Sequence, residues 1–151
     1  MDFILEERVE KARDLFRQGY NCSQSVFLAY NDLLGVESTL AATISGPLGG
    51  GMGRLREVCG TCSAMFILAG LRYGSATDKD VQTRAVTYRA VQELAAKFRE
   101  QNGSIVCHEL LGIGGDGNPV PSVRDSGFYA KRPCKEYVRC AAELVESMLM
   151  N

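Results

Sequence analysis

CGTCSAMFILAGLRYG, residues 59–74, is the stretch whose reading decides the fold. Cys59, Cys62, Phe66, Ala69 and Tyr73 recur at the spacing of one helix face, and most positions between them are apolar too. This pattern predicts a largely apolar helix over about 57–73, closed by Gly74. A helix this apolar needs amphipathic partners, and both flanks supply them. Upstream, Leu5, Val9, Ala12 and Phe16 form one stripe over about 3–18. Gly19 then stops the chain and Asn21 caps a second helix. That helix, about 22–34, carries Cys22, Val26, Ala29 and Leu33, and a short helical piece follows over about 37–44. Downstream, Thr77 or Asp78 opens a long helix to about Gln101, with Val81, Ala85, Tyr88, Gln92, Ala95 and Phe98 along one side. Ser104 caps a short helix over Ile105–Leu111. Pro133 sits at the first position of a last helix, about 133–149, striped by Cys134, Val138, Ala141, Val145 and Met148.

Two segments interrupt this pattern. SGPLGGGMGR, residues 45–54, holds one proline and five glycines, which exclude a regular helix. GIGGDGNPVPSVRDSG, about 112–127, is a long loop of the kind that is often functional. There is no β-type alternation and no internal repeat. The expected architecture is all-α: one domain over residues 1–151, a bundle of about six to seven helices with a glycine-rich loop and a long loop before the last helix.

Composition narrows the function. A chain of 151 residues, 46% hydrophobic and 23% charged, can bury a core without covalent staples. A net charge of -1 offers no basic field for nucleic acid or an anionic membrane surface. No apolar run approaches the roughly 20 residues needed to cross a bilayer. The opening MDFILEERVEKARDLFRQ has neither a long apolar core nor a cleavage signal, so a cytoplasmic location is expected. The single histidine, His108, excludes multi-histidine metal sites.

The unusual residue is cysteine: Cys22, Cys59, Cys62, Cys107, Cys134 and Cys140. In a reducing compartment this density points to metal ligation or redox chemistry. Cys22, Cys59, Cys107 and Cys134 each fall in the first turn of an expected helix, where free N–H groups and the helix dipole favour the thiolate. Connection lengths bring the same four together. The tight Gly19–Asn21 turn sets one end of the bundle at Cys22, the glycine-rich segment returns the chain to that end before Cys59, the long helix descends to Cys107, and the loop after Gly112 reaches Cys134. Cys59 and Cys62 also form a CxxC pair able to cycle between dithiol and disulfide. The βαβ context of thioredoxin-like proteins is missing, and only one pair has zinc-knuckle spacing. Four dispersed thiolates could still hold zinc or an iron–sulfur cluster, so disulfide and metal chemistry both stay open.

Other residues read more plainly. His108, beside Cys107, could act as base or ligand, but adjacent helical residues point about 100° apart, and an exposed, ordinary histidine is the simpler reading. Cys140 reads as packing. The glycine-rich segment reads as a close-approach loop offering its N–H groups to the cysteines. Arg54, Arg56 and Arg132 read first as solvated surface charges.

GYNCSQSV at Cys22, CGTCSAMFILAGLRYG from Cys59, CHELLG from Cys107 and PCKEYVRCAAELV from Cys134 together resemble the C-GCAxxG-C-C family, to which a redox function is loosely assigned. The resemblance spans nearly the whole chain. It implies four hallmark cysteines, Cys22, Cys59, Cys107 and Cys134, in a cytosolic helical protein. The domain is also similar to the non-haem part of a split-Soret cytochrome, which implies an iron–sulfur site. Thr61 and Ala64 stand where the family pattern has alanine and glycine, and Cys62 and Cys140 are additional. The expected function is thus thiol–disulfide exchange or electron transfer with a redox partner the sequence leaves open. The alternative is a metal-binding protein holding iron–sulfur or zinc through the same four cysteines. Either is compatible with a homodimer.

Overall fold

The computed structural model describes residues 3–77, 79–125, 128 and 132–150, and among these it is all-α, with no strand. The helices are α1 (Arg8–Gln18), α2 (Cys22–Tyr30), α3 (Ser38–Ser45), α4 (Gly60–Tyr73), α5 (Val81–Asn102), α6 (Cys107–Leu111) and α7 (Cys134–Met150). α4 lies at the centre, packed on α2, α5 and α7, while α1 covers α2 and α7. The apolar reading of α4 holds: Cys62, Ala64, Met65, Leu68 and Ala69 are all fully buried. Around them close Phe27, Tyr30, Phe98, Val138 and Val145. Tyr30 reaches across the core to donate a 2.8 Å hydrogen bond to the Ala142 carbonyl.

Several boundaries move for local reasons. α1 begins at Arg8 rather than near residue 3, because Glu7 has φ 67, outside the helical region. Phe3 and Leu5 still pack on the core from this lead-in. α2 stops at Tyr30 and tightens into a 3₁₀ turn over Asn31–Leu34, pinned where the buried Asn31 amide donates to the Val36 carbonyl. α5 starts at Val81, where the Asp80 carboxylate accepts from the Thr83 N–H; Thr77 precedes the helix and Asp78 lies outside the described residues.

The expected α5 stripe is only half used. Leu94, Ala95 and Phe98 are buried, but Val81 and Tyr88 are exposed. At 1.5 Å per residue α5 runs about 33 Å and α4 about 21 Å, so the first half of α5 outruns its partner.

Candidate functional site

Each of the four cysteines expected to converge stands at a helix start. Cys22 opens α2 behind an Asn21 capping box with Gln24, Cys59 is the N-cap of α4, and Cys107 and Cys134 open α6 and α7. The α1–α2 corner turns on Gly19, whose φ of 114 only glycine adopts easily. Cys59 and Cys107 are held side by side by an antiparallel bridge between Val58 and Val106. There the Cys59 N–H donates to the Ile105 carbonyl (2.8 Å) and the Cys107 N–H to the Glu57 carbonyl (2.6 Å). All four cysteines line one partly open cavity of about 370 Å³.

Their acidities differ. The Cys59 thiol is held down to about 7, first by a hydrogen bond from the Cys62 thiol, against the opposing cost of burial. Thr61 adds to it: its hydroxyl is 3.1 Å from Cys59 Sγ, and the Thr61 and Cys62 backbone N–H groups point at the sulfur. Burial pushes Cys22 up to about 12, reinforced by the charges of Cys59 and Cys134 and opposed by the Gly50 N–H. Burial likewise raises Cys134, to about 11, and Cys107, the latter against the Arg56 guanidinium 3.7 Å away. Cys62 is raised by burial and by its bond to Cys59. The expected lowering at a helix start is thus met at Cys59 alone, since at the other three desolvation outweighs the hydrogen bonds and arginine charges that oppose it. All six cysteines are free thiols.

The glycine-rich segment folds as a 3₁₀ turn, Gly46–Leu48, and one helical turn, Gly49–Met52, broken by left-handed Gly50 and Gly51. It is the close-approach loop expected. A Cβ on Gly51 would stand 2.6 Å from the Cys107 Cβ, so only glycine permits that contact. Beyond it Met52, Arg54 and Arg56 also have positive φ (68, 68 and 62), a strain of about 1–3 kcal/mol each that the surrounding structure must offset. The consequence corrects the surface reading of Arg56. It is 4% exposed, its side chain turned inward to the cavity, while Arg54 and Arg132 are half-buried at its wall.

Other lining residues escaped the sequence reading. Arg124, from the long loop, donates to the Phe16 and Tyr20 carbonyls at the end of α1 and stacks 4.2 Å over the Phe16 ring. Phe128 and Tyr137 close the wall, and the Tyr137 hydroxyl ties α7 to α6 through the Leu110 carbonyl. Residues 126–127, the end of that expected loop, lie outside the described residues. His108 is exposed and does not line the cavity. Cys140 packs away from it, against Asn102 and Gln101. As placed, no three Cys, His, Asp or Glu side chains among the described residues could share a metal ion.

A family model described as "Putative redox-active protein (C_GCAxxG_C_C)" matches residues 20–148. No curated protein and no solved structure matches the chain.

Proposed function

The chain belongs to the C_GCAxxG_C_C family, and on that premise we propose that it performs thiol–disulfide exchange, with Cys59 attacking and Cys62 resolving. One observation carries this: of the six thiols, Cys59 alone is lowered towards neutrality, and the largest cause is a hydrogen bond from Cys62 one turn along α4. The Cys59 thiolate attacks one sulfur of a substrate disulfide, forming a mixed disulfide and expelling a thiolate. That thiolate takes up the Cys62 proton. The Cys62 thiolate then attacks Cys59 Sγ, closes the Cys59–Cys62 disulfide and expels the second substrate sulfur as a thiolate, which takes up from solvent the proton that Cys59 released. Two protein thiols are oxidised and one substrate disulfide is reduced to two thiols. A reducing thiol partner reverses the cycle. Cys22, Cys107 and Cys134 line the same cavity and can take the resolving role. Such cycling suits a reducing, cytoplasmic setting. None of the described helices is long and apolar enough to cross a membrane.

The test is oxidation of the anaerobically reduced protein with one equivalent of a small disulfide, followed by peptide mapping. Loss of two thiols as a Cys59–Cys62 linkage, abolished in Cys59→Ser, is expected. Oxidation that spares Cys59 would overturn the reading. A second reading, an iron–sulfur or zinc site, rests on the four cysteines that line one cavity and requires their sulfurs to draw together, since as placed no three of them share an ion. About two irons or one zinc per anaerobically purified chain would select it.

A further inference from the structure

The charge around this cavity goes beyond what disulfide exchange requires. Four arginines line it, Arg54, Arg56, Arg124 and Arg132, and among the described residues no acidic side chain does. Arg124 spends its guanidinium on the Phe16 and Tyr20 carbonyls. Arg56 has no such outlet. Among the described residues its guanidinium has one hydrogen-bond acceptor, the Cys107 sulfur at 3.7 Å, and no carboxylate within ion-pair distance. Asp116 senses Arg54 and Arg56 from farther off, but it is exposed and accepts from the Asn118 N–H. A permanently charged group 4% exposed is costly unless an anion meets it. The left-handed backbone at Arg54 and Arg56 is the local means by which that cation is turned inward.

Resting on the exchange reading above, we propose that the substrate is a small disulfide carrying a carboxylate, which Arg56 receives while Cys59 attacks the sulfur. Guanidinium and carboxylate match as a planar two-bond fork, with Arg54 and Arg132 adding positive potential at the wall. The cavity, about 370 Å³, has room for such a molecule. Cys59 is 6% exposed and lines the cavity, which favours a small disulfide over one held on a folded protein surface. The chemistry is thiol–disulfide exchange: the substrate's two sulfurs leave as two thiols, Cys59 and Cys62 are oxidised to a disulfide, and the carboxylate is unchanged.

The experiment compares two probes on the reduced full-length protein at neutral pH. Dithiobis(nitrobenzoate) carries two carboxylates, and dithiodipyridine is uncharged. Each rate is divided by that of a free neutral thiol, N-acetylcysteine amide, so that the ratio reports only the site. The anionic probe is expected to be favoured about tenfold, a preference that salt weakens. Arg56→Gln removes most of it. Arg132→Gln lowers it less, and reads the same potential without disturbing the buried position. A wild-type ratio near one, or one unmoved by either variant, overturns the assignment of an anionic substrate. Exchange itself is judged separately: Cys59→Ser abolishes reaction with both probes if that reading stands, and leaves both rates intact if it fails.

Discussion

Gly60 and Gly70 lie on the same helix, and the same substitution should move stability in opposite directions at the two positions. Glycine inside a helix costs about 0.5–1 kcal/mol relative to alanine, through the freedom lost on folding. A Cβ on Gly70 meets no atom within 4 Å, so Gly70→Ala should recover about that amount. A Cβ on Gly60 would stand 2.7 Å from Cys22 Sγ and 2.9 Å from the Leu48 carbonyl oxygen. Ordinary contact distances are about 3.5–4 Å, so α2 or the glycine-rich loop must retreat by most of an ångström. Overpacking of this kind costs about 1–3 kcal/mol. It outweighs the propensity gain, which is smaller still at the first helical position. The two variants should then differ by roughly 2 kcal/mol, or about 4–8 °C in Tm for a chain of this size. Thermal unfolding of the reduced proteins reads the stability. A Gly60→Ala variant that melts at or above wild type would refute the claim that Cys22 and the loop leave room for glycine only.

Three further outcomes follow from the same contacts. Cys62→Ala removes the largest cause of the low Cys59 pKa, so the midpoint of Cys59 alkylation by iodoacetamide should rise from about 7 towards the ordinary thiol value; an unmoved midpoint sinks the assigned cause. Tyr30→Phe loses the 2.8 Å bond to the Ala142 carbonyl and should cost about 1–2 kcal/mol in urea unfolding, with a neutral result counting against that bond. Cys22, Cys62 and Cys134 have folded pKa values raised above 9, so the stability they contribute is complete below the unfolded thiol pKa and is lost as pH rises past it; the urea midpoint of reduced protein should fall from pH 9 to 11 and fall less in Cys22→Ala.

Much of the fold is legible because its signals are local. The α4 periodicity, the Asn21 cap and the glycines after α1 and α5 each act within one turn of chain. The long reach of α5 past its partner was not, since a stripe of apolar residues does not say where the neighbouring helix ends. The meeting of four helix starts follows from connection lengths, which are also countable. What joins Cys59 to Cys107 is less visible: Val58 and Val106 are isolated apolar residues whose pairing spans 48 positions, and nothing beside either announces a bridge. Arg56 and Arg124 illustrate the same limit. A surface arginine and one turned into a cavity look alike in sequence, because burial is decided by segments far along the chain.

The acidities show why the assembled end differs from its parts. Each helix start, taken alone, favours a thiolate. Four of them in one partly open cavity compete, and ionisation of one raises the others by charge repulsion, as the mutual influence of Cys22, Cys59, Cys107 and Cys134 records. The winner is the sulfur with most donors. Cys59 has the Thr61 hydroxyl, two backbone N–H groups and the Cys62 thiol, whereas Cys22 has the Gly50 N–H and Cys107 the Arg56 guanidinium. Convergence thus concentrates nucleophilicity on one atom and keeps its neighbours protonated. In the proposed exchange, attack by Cys59 precedes resolution by a second thiol because Cys59 is the sulfur these donors favour as a thiolate.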